Sequence, residues 1–379
     1  MKIVIAPDKF KGSLTGLEFC DAVASGIQHI NPEYIIVKLP LADGGDGTID
    51  VANYYLDGTF ITSHVNNPLF KEVDAQYLYA STTKTAFIEM AEASGLKLLS
   101  TEELDCKSTS TYGTGQLILD AIKKGATQII LGIGGSATND CGTGMAAALG
   151  FRFLDTNKKE VLAVGKNLSK IKFIDDSQVN ASLKNVTFKI ACDVTNPLYG
   201  IEGAAYVYGT QKGASTEDIK MLDQGLKDFS KVLNSHFNTD VQQIQGGGAA
   251  GGMGVGTQLF LNGTLTSGID LVKEIADFDT QVKNADWIIT GEGKLDDQTL
   301  SGKTINGVLA TALEQQIEVA AFCGAIEIPE YSLRKMGIEY AASVIDVAKD
   351  LEDAMQNSSS YLTTIAENFT KEIEKKHRF

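Results

Sequence analysis

Five short apolar runs, each ending in a loop of glycines and small polar or charged residues, constrain this chain more than any other feature. Lys2–Ala6 leads into Pro7-Asp8-Lys9-Phe10-Lys11-Gly12-Ser13, and Tyr34–Leu39 into Pro40-Leu41-Ala42-Asp43-Gly44-Gly45-Asp46-Gly47-Thr48. Gln128–Ile133 leads into Gly134-Gly135-Ser136-Ala137-Thr138-Asn139-Asp140, Val186–Cys192 into Asp193-Val194-Thr195-Asn196-Pro197, and Trp287–Thr290 into Gly291-Glu292-Gly293-Lys294-Leu295-Asp296-Asp297. The runs read as buried strands. Helical periodicity separates them. Leu17, Cys20, Val23, Ile27 and Ile30 recur at three and four residues after Thr15, and Ile219, Leu222, Leu226, Phe229, Leu233 and Phe237 do so after a Ser215/Asp218 capping pair. Strands alternating with helices predict an α/β fold with a mostly parallel sheet and helices on both faces. In such a sheet the ligand crevice lies at the carboxyl ends of the strands, where these loops are.

A different texture interrupts the rhythm. Val73, Ala75, Tyr77 and Tyr79 alternate, as do Ala86, Ile88 and Met90, with Ser81–Lys84 between them. That is the pattern of an antiparallel hairpin, and it marks the start of a second domain. Downstream, Leu117–Ile122 and Ile305–Leu313 read as helices and Val319–Cys323 and Ala341–Ile345 as strands, with a polar final helix. The 379 residues are enough for two domains. A hydrophobic share of 43% against 21% charged residues excludes a disordered chain, and a net charge of −15 argues against a nucleic-acid partner. No apolar run reaches the ~20 residues of a membrane helix, and Lys2–Ala6 is too short for a signal-peptide core, so a soluble, cytoplasmic protein is expected. Five dispersed cysteines suit a reducing compartment, and four scattered histidines make a zinc site or a His-centred triad a poor reading.

The loop chemistry points to phosphoryl transfer. That reaction needs backbone amides and cations around phosphates, carboxylates for Mg²⁺, and a group to orient or deprotonate the attacking hydroxyl. Asp43, Asp46, Asp140, Asp193, Glu292 and Asp296 offer hard oxygen ligands, while Lys9, Lys11, Lys294 and Lys303 offer charge. Arginine occurs only at Arg152, Arg334 and Arg378, outside these loops, so lysines and amides must carry anion binding. Any one Gly-Asp loop reads equally well as a turn; five after five strands do not. Gly246–Gly251 matches G-x-G-x-x-G but follows the polar Gln242–Gln245, which favours close packing or a flexible loop over a dinucleotide fingerprint. Ser301-Gly302-Lys303-Thr304 lacks the earlier glycine of a P-loop, where Asp297 stands. Thr138 occupies the position where a nucleophile elbow needs glycine, and Cys141 and Cys192 read as buried filler.

The segments Ala6–Thr15 (APDKFKGSLT), Pro40–Thr48 (PLADGGDGT), Gly132–Gly150 (GIGGSATNDCGTGMAAALG), Ala191–Gly200 (ACDVTNPLYG), Gln211–Ala214 (QKGA), Gly246–Gly254 (GGGAAGGMG) and Thr290–Thr304 (TGEGKLDDQTLSGKT) together resemble the type-1 glycerate kinase family of bacterial D-glycerate kinases. The match runs in order along nearly the whole chain. It departs at Cys141, where glycine is common, and at Asp46, where glutamate is common. The resemblance implies two different α/β domains: a Rossmann-like one with a mostly parallel sheet, and an inserted one with a mixed sheet. The active site would lie in the cleft between them, with boundaries near 1–64 plus 280–379 and 65–279. It further implies ATP and Mg²⁺ as cofactors and D-glycerate as substrate, phosphorylated in organic-acid catabolism to 2-phosphoglycerate in preference to 3-phosphoglycerate; a homodimer is left open. On this footing Asp43, Asp193, Lys9 and Lys11 are the catalytic candidates. Gly134, Gly135, Ser136, Thr138, Asn139 and Lys294 are expected on the nucleotide, Asp8, Ser13, Gly44, Gly45 and Asn196 on the substrate, and Asp46, Asp140, Glu292 and Asp296 on the metal. Two other classes stay open: a nicotinamide-dependent oxidoreductase on a small hydroxy acid, and a non-catalytic sensor of glycerate or nucleotide.

Overall fold

A computed structural model describes residues 1–45, 47–296 and 303–377 of the chain. It divides into two compact units, residues 1–55 with 268–379 and residues 56–267. The edge strand Thr59–Asn66 therefore falls wholly within the second unit.

The first unit is built on a five-stranded sheet in the order Ile338–Ser343, Glu318–Cys323, Trp287–Thr290, Lys2–Ile5, Ile35–Lys38, and every pairing is parallel. Alternation along the strands supplies two apolar faces. Ile3, Ile5, Trp287, Ile289 and Phe322 face one core with Phe19, Val23 and Ile27 of helix Gly16–Ile30 and with Leu362 and Phe369 of helix Ser358–His377. Val4, Ile288, Val319 and Ala321 face the other, with Ile305 and Val308 of helix Lys303–Gln315. Phe369 meets Trp287 and Phe322 edge-on at centroid separations of 5.0 and 5.6 Å, contacts each contributing about 1 kcal/mol beyond their buried area. Helix Gly16–Ile30 starts where the sequence indicates: Thr15 and Glu18 form a reciprocal capping box. The chain leaves Lys2–Ile5 toward one edge through Ile35–Lys38 and returns on its other side at Trp287–Thr290. This reversal of strand order opens a crevice at the carboxyl ends.

The second unit carries a six-stranded mixed sheet in the order Thr264–Thr266, Thr187–Ala191, Gln128–Gly132, Thr85–Glu89, Glu72–Ala80, Thr59–Asn66. The first four run parallel, and the last two are antiparallel additions. The hairpin read from the sequence is the Glu72–Ala80/Thr85–Glu89 pair, turned at Lys84 with φ +53°. Helix Thr216–Phe237 carries the expected Ser215/Asp218 capping box and buries Leu222, Leu226, Phe229 and Leu233. Among the described residues, no helix is long and apolar enough to cross a membrane.

Candidate functional site

At the switch point of the parallel sheet, backbone pairing continues past the strands: Ala6 N donates to Ile289 O (2.7 Å) and Asp8 N to Gly291 O (2.8 Å). Asp8 and Glu292 are thereby set side by side at the carboxyl edge. Gly291 is required there, because a Cβ on it would lie 1.9 Å from Phe322 O. A tight turn, Phe10 N to Leu14 O (2.8 Å), presents Lys9, Lys11 and Ser13. Asp43 reaches the same place from the end of Ile35–Lys38, its loop pinned by Leu41 N to Pro7 O (2.8 Å) and its own Oδ1 accepting from Gly45 N (2.9 Å). These residues line a pocket of about 720 Å³ together with the apolar Val344, Ile345, Leu351, Ala354 and Met355, which follow the edge strand Ile338–Ser343 and so lie at the far end of the strand order from Asp43. Asp8, Lys9, Lys11, Ser13, Asp43, Gly45, Glu292 and Lys294 thus line one cavity of the first unit. Asp46 and the Asp297–Gly302 segment lie outside the described residues, as does the side chain of Lys303.

The electrostatics of this cluster are those of crowded acids. Glu292 is pushed up to about 8, first by desolvation, then by the like charges of Asp8, Asp296 and Asp43. Its Oε1 is sealed from solvent and has no hydrogen-bond partner among the described residues. Burial also raises Asp8, against the hydrogen bonds it accepts from Thr304 Oγ1 (2.7 Å) and Lys9 N (2.7 Å). No three described His, Cys, Asp or Glu side chains form a ready-made cage. Mg²⁺ at phosphoryl-transfer sites does not need one, since it takes one or two carboxylates and completes its octahedron with phosphate oxygens and water. A sealed, unpartnered carboxylate oxygen amid like charges fits such an ion. Lys294, exposed, is paired with Glu327 (2.9 Å) and Asp296 (3.4 Å), so its ammonium is already engaged at the pocket rim.

In the second unit, Glu89, the Gly134–Asp140 loop and the Asp193–Asn196 loop sit at the ends of neighbouring parallel strands. Here the geometry corrects several expectations. Only Gly134 and Gly135 are exposed; Ser136 through Asp140 are buried. Ser136 Oγ and the Thr138 carbonyl accept from Lys212 Nζ at 2.7 and 2.8 Å, and Thr138 Oγ1 and Asn139 Nδ2 are buried without partners among the described residues. The loop therefore leaves Gly134 and Gly135 at its surface, while its hydroxyls are buried.

Asp140, expected on the metal, is fully buried. Its carboxylate accepts from Thr111 N (2.8 Å), Thr111 Oγ1 (2.9 Å), Gly142 N (3.1 Å) and Gly144 N (3.2 Å). It locks the loop and satisfies the first amides of the short helix Thr143–Ala148, so neither the carboxylate nor that helix end is available to a ligand. Asn196, half-buried, is partly committed: one Nδ2 hydrogen goes to Glu202 O (2.9 Å) and its Oδ1 accepts from Tyr208 Oη (2.7 Å), leaving one N–H and one lone pair. Asp193 is half-buried just past the strand. Cys141 adopts φ +54°, the backbone that glycine takes without strain. The Gly246–Gly254 run packs closely: Gly251 at φ +73° accepts from Cys141 N (3.0 Å), and a Cβ there would lie 2.1 Å from Thr138 O.

Lys212 is the residue that sequence reasoning missed. A lysine in Gln211–Ala214 reads as a surface residue, yet it is 3% exposed, and burial pushes its ammonium down to about 8, against the pull of Cys106 and Asp140.

Comparison with known proteins places these features in a lineage. A family model described as the glycerate kinase family matches residues 3–374. A glycerate kinase from Bacillus cereus is 43% identical over 97% of both chains, and a glycerate 2-kinase from Escherichia coli is 39% identical over 97% of both. A crystal structure named as a candidate glycerate kinase 2 from Salmonella typhimurium LT2 superposes with a TM-score of 0.90 at 38% identity, covering 100% of each chain. With relatives matching end to end and two α/β units as the resemblance implies, the chain belongs to the glycerate kinase family.

Proposed function

We propose that the chain moves the γ-phosphoryl group of ATP onto the C2 hydroxyl of D-glycerate, giving 2-phosphoglycerate, with chemistry centred on the carboxylate end of the first-unit pocket. The observation that carries this placement is Glu292: a sealed carboxylate oxygen with no partner among the described residues, held among Asp8, Asp43 and Asp296 at the sheet's switch point, in the pocket that Lys9 also lines. Glycerate kinase activity with ATP as donor follows from family membership, and the name of the Escherichia coli relative favours the 2-hydroxyl.

In this reading Glu292 and Asp296 would hold Mg²⁺, which when bound would neutralise charge on the terminal phosphates. The ammonium groups of Lys9 and Lys11 steer and hold the anionic reactants. Asp43, exposed and braced by Gly45 N, receives the proton of the attacking hydroxyl. In the second unit, the amides of Gly134 and Gly135, the Asp193 carboxylate and the remaining N–H and lone pair of Asn196 are the groups offered to a ligand. Asp140 is not among them, since four protein donors satisfy its buried carboxylate. Catabolic use of glycerate in the cytoplasm, and a homodimer, belong to the same proposal. The oxidoreductase reading loses its ground: the first βα turn, Ala6–Thr15, holds a single glycine where a dinucleotide fingerprint needs three.

Coupled detection of ADP, with and without D-glycerate and Mg²⁺, tests the reaction, and ³¹P NMR of the product reads the position. Glu292→Gln and Asp43→Asn are each expected to lower kcat about 10²-fold or more with an unchanged far-UV spectrum. Wild-type turnover in both variants would refute the placement, and a 3-phosphoglycerate spectrum would refute the position.

A further inference from the structure

We propose that the apolar end of the first-unit pocket is the seat of the donor's nucleobase, with the nucleotide lying along that pocket and its phosphates toward Lys9 and Glu292. This deepens the preceding reading and rests on it for the location of the phosphates. A three-carbon acid occupies a small fraction of about 720 Å³, whereas a nucleoside triphosphate is of the order such pockets accommodate.

The polarity of the pocket agrees with its size. Glycerate presents carboxylate and hydroxyl groups and has no use for a wall of Val344, Ile345, Leu351 and Met355. A nucleotide has the matching gradient, charged at one end and a flat apolar ring at the other. Leu351 and Met355 are left 67% and 44% exposed in that wall, four residues apart on one face of helix Leu351–Gln356, an uncovered apolar pair of the kind that marks a binding surface.

The wall is also held in place. Asp350 caps its helix by accepting from Asp353 N, and Asp353 accepts from Tyr361 Oη (2.6 Å). Ser13 Oγ donates to Met355 O (2.8 Å) and lies 2.7 Å from Ser358 Oγ, tying the lysine-bearing turn to the apolar wall. This gives Ser13, expected on the substrate, a positioning role between the two ends of the pocket.

Recognition here is by contact. The amides of Gly324, Ala325 and Ile345, which line this part of the pocket, already donate to Glu292 O, Gly293 O and Gly324 O. The site is therefore expected to distinguish purines weakly, with GTP within about tenfold of ATP in kcat/KM, because one missing neutral hydrogen bond costs no more than that.

The test uses the full chain carrying Leu351→Glu with Met355→Ser, exposed positions whose substitution spares the core. ADP affinity by isothermal titration calorimetry without acceptor, and KM for ATP, are both expected to weaken at least tenfold. KM for D-glycerate should change less, and inhibition by inorganic tripolyphosphate, which has no base, should be the same in both proteins. Unchanged ADP affinity in the variant, or an effect confined to KM for D-glycerate, overturns the base site. A wild-type chain that binds ADP but does not phosphorylate D-glycerate would overturn the functional reading, while the variant's loss of ADP affinity would still uphold the base site.

Discussion

Replacing Lys212 with methionine tests whether an ammonium buried beneath the Gly134–Asp140 loop is a cost that the fold carries. The side chain donates to Ser136 Oγ and Thr138 O, and its removal leaves two buried acceptors short of a donor, at about 1–3 kcal/mol each. Against this, the charge itself is penalised. The gap between an ordinary 10.5 and about 8 corresponds to about 3 kcal/mol. The two nearly offset, so at pH 7 Lys212→Met should lose at most about 3 kcal/mol.

The pH dependence is the diagnostic. Lys212 has a lowered folded pKa, so between about 8 and 10.5 the unfolded chain holds a proton that the native chain has released, and stability contributed by this group rises with pH. The penalty is fully present below about pH 8 and is relieved above it, by about 1 kcal/mol at pH 9. Buried thiols act oppositely: Cys106 and Cys323, raised to about 11 and 12, and Cys20 and Cys141 higher still, keep protons that the unfolded chain sheds near 9. That loss is common to both proteins and cancels in their difference. Urea unfolding at pH 7 and pH 9, followed by circular dichroism, should therefore show the variant falling a further 1 kcal/mol or so behind wild type at the higher pH. Trp287, the one tryptophan, serves as a reporter of the unit that does not contain Lys212. A difference independent of pH would refute the buried-charge reasoning.

Two further substitutions probe the same region. Asp140→Asn places an amide NH₂ against donors that a carboxylate now accepts, and should destabilise by about 2–4 kcal/mol, a melting-point drop of about 5–10 °C, without changing the Mg²⁺ requirement; a stable variant with altered Mg²⁺ dependence would return Asp140 to the metal. Gly251→Ala forces a Cβ to within 2.1 Å of Thr138 O at φ +73°, and a loss of more than about 2 kcal/mol is expected in thermal melts, whereas a neutral result would contradict the close packing of the glycine run on the loop.

The architecture was legible wherever a residue pattern answers to one local geometry. Trp287–Thr290 is a strand over the range its apolar run indicates, and Thr15 and Ser215 begin helices because capping chemistry is written within four residues. Thr59–Asn66 carries no such signature. As an antiparallel edge strand it buries only Val65 of its eight residues, so TFITSHVN lacks the apolar alternation that flags a buried one. At the candidate site, sequence located the loops but not which way their atoms face. Asp8, Asp43 and Glu292 converge because strand order brings three loops to one crevice, a consequence of topology that spacing does not encode. Asp140 has the same side chain and a similar glycine neighbourhood, yet turns inward to cap a helix. What separates a ligand-facing carboxylate from a structural one is the donor set around it, and for Asp140 two of the four donors come from Thr111, twenty-nine residues away. Lys212 was hidden for the same reason, since its partners lie seventy-four and seventy-six residues distant.

The parallel sheet of the first unit has a further consequence for how the chain comes to be assembled. Its middle strand, Lys2–Ile5, is flanked by Ile35–Lys38, which emerges soon after it, and by Trp287–Thr290, whose partner atoms are more than 280 residues downstream, as in Lys2 N to Asp286 Oδ2. During synthesis the early strand must wait with one edge bare while residues 56–267 emerge and can settle on contacts of their own. The carboxylates of the proposed site cannot meet until that last pairing closes, so the acquisition of activity should trail the appearance of secondary structure in refolding, at a pace set by long-range closure.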